Sequence, residues 1–231
     1  MRRQICVVLR EVVVSASMAI IQPYLSPELR TELERASALH HFVMKTFPDT
    51  FTAANDRVNM LAAKTHLADD LYGSILYLFE AGGPYDGGAF ALIRPLVEAS
   101  VEAQWQYFCA SEETFNRAYA GEDVDPGLPN MMDVLDRHIG DQMFAGLRAN
   151  VNTLHGFTHG GLEQLGRRFD TEGNLRASYS DKEKFEAIRV SAAMYVLLSS
   201  IFCQGASGVP EKDGRSSAIE AKYAELYGTT A

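Results

Sequence analysis

The sequence predicts an all-α fold, a single helical bundle of about seven helices, on three observations. Apolar residues recur at helical spacing along the chain, no strand-type alternation or Asn-Gly hairpin signal persists, and helix-starting residues stand ahead of the apolar stripes. Ser26-Pro27-Glu28 supplies a cap and a first-turn proline, and the helix it opens turns Leu29, Leu33, Ala36, Leu39 and Val43 inward. Thr50 or Thr52 opens the next helix, whose stripe runs Val58, Leu61, Thr65, Ala68, Leu71, Tyr72, Ile75 and Phe79 before Gly82-Gly83-Pro84. Asp86 starts a third through Leu92, Leu96, Ala99, Trp105 and Phe108, and Ser111 a short fourth that stops at Gly121. The acidic stretch to Pro129, with its glycines and prolines, reads as a loop. Helical segments are expected over roughly Asn130–Ile139 and Asp141–Phe169, the second bending or ending near its glycines. Ser180-Asp181-Lys182-Glu183 is a capping box for a strongly apolar helix, and Ser217–Tyr227 is a last amphipathic one.

Residues 1–25 read as an N-terminal extension, 26–204 as the bundle, and 205–231 as a linker with a C-terminal amphipathic helix. Arg10 and Glu11 interrupt the apolar run near the N-terminus, which the core of a secretory leader does not tolerate; an alternative start is Met18. The apolar stretch Val190–Cys203 is too short to cross a bilayer, so no membrane association is expected. Cys6, Cys109 and Cys203 are odd in number and far apart, which suits a reducing, cytoplasmic setting and gives no zinc spacing. A formal net charge of −9 excludes general DNA binding, which needs a basic field.

Two polar stripes interrupt the apolar pattern. Arg94, Glu98, Glu102 and Trp105 share one face of the third helix, and Arg148, Asn152, His155 and His159 share one face of the expected 141–169 helix. Pro95 lies inside the first stripe's helix, and Gly156, Gly160 and Gly161 surround the two histidines. Such groups on apolar helices are costly unless they satisfy one another, so the two stripes are expected to face each other across a groove, Glu98 toward His155 or His159. Arg94–Glu98 reads equally as a plain i,i+4 ion pair, and the histidines as interface residues bonded to carbonyls. His-x-x-x-His is a skeleton for a bundle metal site, but no Glu follows His155 and no second ligand motif is present, so neither metal nor cofactor is expected.

The segments Tyr85-Asp86-Gly87-Gly88-Ala89-Phe90-Ala91-Leu92-Ile93-Arg94-Pro95-Leu96-Val97-Glu98-Ala99 and Leu154-His155-Gly156-Phe157-Thr158-His159-Gly160-Gly161 resemble a bacterial family of helical proteins of unknown function, over about residues 25–204. More distantly the chain is similar to HEPN domains, whose signature is Arg, four to six residues, then His. Arg148 and His155 fit that spacing, as does Arg35 with His40 or His41, while Ala149 departs from the polar residue usual after the Arg. The resemblance implies a homodimer and a ribonuclease or nucleotide-handling role in stress or phage response. His159, His155, Arg148 and Asn152 would then be catalytic, and Arg94, Glu98 and Trp105 would bind RNA or a nucleotide. The apolar side of the last helix, Ile219, Tyr223 and Leu226, also suits a dimer. The second class is a non-catalytic helical module for a protein partner or a small anionic ligand.

Overall fold

The computed structural model describes residues 25–47, 53–158, 167, 179–206 and 214–228. Among them nine α-helices follow in order: α1 Pro27–Thr46, α2 Asp56–Ala81, α3 Asp86–Phe108, α4 Glu112–Tyr119, α5 Leu128–Ile139, α6 Ala145–Ala149, α7 Val151–Thr158, α8 Asp181–Ala206 and α9 Arg215–Tyr227. The fold is all-α, but the expected count of about seven is too low. Periodicity alone suggested one helix over 141–169, whereas local hydrogen bonds interrupt it. Gly140 takes a left-handed cap with φ 79°, and Phe144 N–H donates to the Asp136 carboxylate at 3.0 Å, so the helix restarts only at Ala145. At Asn150 the backbone N–H bonds back to Leu147 O and the side-chain amide to Gly146 O, ending α6 before α7 begins.

Capping chemistry sets the other boundaries. Ser26 Oγ accepts from Leu29 N–H, and Ser111 Oγ accepts from Thr114 N–H. Asn55 caps α2, so that helix opens later than the expected Thr50 or Thr52, which lie outside the described residues. At the head of α8 the Ser180–Glu183 box closes both ways, Ser180 N–H to Glu183 at 2.8 Å and Glu183 N–H to Ser180 Oγ at 3.3 Å. Gly82 and Gly83, both at positive φ (66° and 57°), turn α2 back on α3 through the short 3-10 turn Gly83–Tyr85.

Helix α8 is the central element: it packs on α1, α2, α3 and α9, while α3 also carries α5 and α7. The stripes predicted for α1 and α2 face the core, where Leu29, Leu39, Ile75, Phe79, Tyr72 and Tyr195 are fully buried. The Asp86–Lys184 ion pair, at 2.7 Å, is buried on both sides, while the buried Glu32 carboxylate reaches the exposed Arg189 at 2.7 Å. Arg57, near the start of α2, donates to the Gln106 and Ala110 carbonyls at the end of α3, satisfying orphan acceptors there, and stacks 4.6 Å from the Phe115 ring. The apolar side of α9 that suggested a dimer packs inside the chain: Ile219 is fully buried, and Tyr223 and Leu226 lie against the core.

By length and composition Asp181–Gly205 could cross a membrane, because the capping box starts α8 well before Val190. In this chain 67% of that window is buried, as befits the core helix.

Candidate functional site

The polar stripe of α3 reaches α7, with Arg94 as the link. Arg94 Nε donates to Glu98 Oε1 at 2.6 Å, and its Nη1 meets Nδ1 of His155. A guanidinium can only donate, so the imidazole accepts at Nδ1, and its proton in the neutral ring sits on Nε2. The order is therefore carboxylate, guanidinium, imidazole, with Arg94 between the two groups expected to face each other. Glu102 lies further along α3, accepting from Lys64 Nζ at 2.6 Å and from Gln106 Nε2 at 2.9 Å. Partial burial pushes the Asp125 carboxyl up, and the nearby carboxylates of Glu102, Asp123 and Glu98 add to this against one backbone hydrogen bond from Gly127. The neighbourhood of Arg94 is thus acidic.

The second stripe is divided by the break at Asn150. Arg148, on α6, is held by Asp133 at 2.8 Å and Asp136 at 2.9 Å. Asn152 and His155 are exposed on α7, and Trp105 is buried in the core at 7% exposure. His159, Gly160 and Gly161 lie outside the described residues. The other Arg–His spacing separates as well: Arg35 pairs with Glu32 at 3.0 Å, and His41 Nδ1 bonds the Ser37 carbonyl at 2.8 Å.

Sequence reasoning did not single out two further features. One is a polar knot joining three helices, in which Asp69 Oδ1 of α2 bonds His40 Nε2 of α1 at 2.8 Å and Tyr195 Oη of α8 at 2.7 Å. Burial alone would raise the Asp69 carboxyl, but hydrogen bonds from His40 and Tyr195 and the charges of His40 and His66 bring it below its ordinary value. Tyr72 stacks on Tyr195 with ring centroids 4.7 Å apart, and burial, then the bond to Asp69, holds the Tyr195 hydroxyl far above its ordinary range. His40 and Asp69 also line an open cleft of about 520 Å³ with Asp70, Gly73, Ser74 and Leu92.

The other feature is a groove of about 990 Å³ between α3, α6, α7, α8 and α9. Its walls include Ile93, Leu147, Leu154, Val190, Met194 and Leu197, and Glu183, Glu186, Glu220 and Arg167 also line it. Arg167 pairs with Glu183. Apolar positions on α8 supplied a signal for it, since Val190 and Leu197 share one face, but the same pattern describes any core helix.

Among the described residues no group of three or more His, Cys, Asp or Glu side chains is placed to hold a metal ion. Neither a curated protein nor a solved structure matches the chain. A model of a family of unknown function (DUF6988) matches residues 66–228, from within α2 to just past α9, and the chain belongs to that family.

Proposed function

We propose that the chain is a non-catalytic helical interaction module that holds a basic amphipathic helix of a protein partner in the α3–α7–α8 groove. The groove carries this reading. Its volume, about 990 Å³, lies at the upper end for ligand pockets, and its walls are built from Ile93, Leu147, Leu154, Met194 and Leu197. An amphipathic helix fills such a surface with anchors spaced i, i+3 or i+4, and i+7, each removing apolar area from water on both partners. Glu186 and Glu220 then face the flanks of that helix, and the net charge of −9 steers a basic segment toward it. The ribonuclease reading turns Arg148 toward a phosphate. Arg148 is instead neutralised by Asp133 and Asp136, and Arg94 by Glu98.

A synthetic Leu/Lys amphipathic peptide of about 14 residues, long enough for partial helicity, serves as the probe. Titrated into the whole chain, it is expected to bind saturably. Val190→Asn, which removes a rim anchor, and Glu186→Lys, which reverses a rim charge, should each weaken binding about tenfold, equivalent to 1.4 kcal/mol. Equal binding of a sequence-scrambled peptide, or no loss in either variant, would overturn the reading. So would RNA cleavage by the purified chain that His155→Ala abolishes.

A further inference from the structure

We infer that the groove measures its partner: Glu186 near the head of α8 and Glu220 on α9 select an amphipathic helix whose apolar stripe lies between two basic residues about 14 positions apart. The inference rests on the partner-helix reading above and adds the spacing that decides which helices fit.

The distance comes from α8 itself. Groove residues on that helix run from Glu183 to Ser200, and the Glu220 carboxylate meets the Ser200 hydroxyl at 2.5 Å. Glu186 and Ser200 are 14 residues apart, close to four helical turns, so they share a face and stand about 21 Å apart. Val190, Met194 and Leu197 lie between them on the groove wall. The wall therefore runs carboxylate, apolar stripe, carboxylate. A helix laid along it rises by the same about 1.5 Å per residue, so it meets both carboxylates with basic residues at the same spacing. A volume of about 990 Å³ spread over that length averages roughly 50 Å² in cross-section, less than that of an α-helix about 10 Å across. One face of the partner is seated and the other stays in water.

The two ends hold their charge differently. Ser200 is 3% exposed, and its hydroxyl donates to Glu220 Oε1, to which Ser216 also donates at 3.3 Å. The carboxylate at this end is oriented before a partner arrives. At the other end Glu186 faces Lys182 at 3.9 Å, an exposed pair that holds it weakly. Glu183 beside it closes the capping box and pairs with Arg167, so its charge is already answered. Glu220 is therefore the stronger specificity determinant, and Ser200 is its positioning residue.

The test is titration of the whole chain with fluorescently labelled, alanine-rich helical peptides that carry one leucine stripe. In the first peptide two lysines stand 14 positions apart at the ends of the stripe; in the second, of equal composition, they stand 7 apart. Two more copies of the first carry norleucine in place of one lysine or the other. The 14-spaced peptide is expected to bind about fivefold more tightly than the 7-spaced one, as one surface ion pair is worth up to about 1 kcal/mol. Glu220→Gln keeps a side-chain oxygen for Ser200 and should weaken the 14-spaced peptide about fivefold. It should leave unchanged the norleucine peptide that lacks the lysine facing it, which also gives the partner's direction. Ser200→Ala should follow the same pattern with about a twofold loss, whereas a merely structural change would weaken all four peptides alike. Equal binding of the 14- and 7-spaced peptides overturns the spacing and leaves the groove reading in place. Equal weakening of both norleucine peptides in Glu220→Gln overturns it too. Saturable binding by none of the four overturns both readings.

Discussion

The side of the molecule built from α1, α2 and α8 and the side built from α5, α6 and α7 hold their polar groups in opposite ways. On the first, long helices enclose them: Glu32 is 3% exposed between Arg35 and Arg189, and Asp69 bonds His40 and Tyr195 in the helix interface. On the second, helices of 12, 5 and 8 residues leave Asn152 and His155 at the surface. There a single buried carboxylate, Asp136, gathers the Phe144 backbone and the Arg148 guanidinium. A helix too short to bury a full stripe cannot stabilise itself by packing and relies on such local anchors. The comparison teaches that the same residue types are enclosed by packing where helices are long and stay at the surface where they are short.

The largest expected effect contrasts one substitution on the two sides. Leu39→Ala removes a fully buried side chain between long helices and should cost about 2–5 kcal/mol. Leu154→Ala, at a half-buried groove position, should cost less than about 1.5 kcal/mol, because less area is lost and water can fill the space. Urea unfolding at unchanged m measures both. Comparable losses would mean that α7 is packed as tightly as α1.

A smaller effect appears with pH. The Asp69 carboxyl lies below its ordinary value of 3.8, so in the window between the two the unfolded chain binds the extra proton. Its stabilising contribution is therefore fully present above that ordinary value and is lost as pH falls through the lower folded value. Asp86 runs the other way: burial raises its carboxyl despite the Lys184 partner, so its charge weakens folding as pH rises above 3.8. Unfolding of the wild type and of Asp69→Asn, followed from pH 7 to pH 3, should show a gap that is constant near neutrality and closes only below about pH 4. A gap of unchanged size from pH 7 to pH 3 would mean Asp69 acts through shape and not charge.

Legibility in the sequence followed the same divide. Helices α1, α4 and α8 are readable because a cap and an apolar stripe agree in each, at Ser26, Ser111 and Ser180, whereas α3 and α9 start without a side-chain cap and are readable from their apolar spacing alone. The α6–α7 break was not, because the interrupting bonds come from Asn150 and Asp136, residues that are unremarkable within a helical pattern. The contact between the stripes was legible as far as Arg94 and His155, whose cost on apolar helices demands partners. Arg148 does not share their face, because the break at Asn150 separates it from His155. The His40–Asp69–Tyr195 knot left no local trace: its members are 29 and 126 residues apart, and each alone looks like an ordinary helix residue.

The smallest expected effect is at Glu98. Its ion pair with Arg94 is short at 2.6 Å, yet the Glu98 side chain is 42% exposed and follows the arginine at i+4, the weaker of the two orientations. Water already solvates the carboxylate in the folded chain, so removing its charge gives up little desolvated attraction. Glu98→Gln should change stability by less than about 0.5 kcal/mol, and added salt should erase the difference. Arg94 keeps its contact with His155 in that variant, so the α3–α7 approach should persist and the His155 proton stay on Nε2, which nitrogen-15 chemical shifts of the ring report. A loss above about 1 kcal/mol that survives added salt would place Glu98 among the enclosed ion pairs. The α3–α7 junction would then belong with the α1–α2–α8 side, as part of the core and not as a surface left open to a partner.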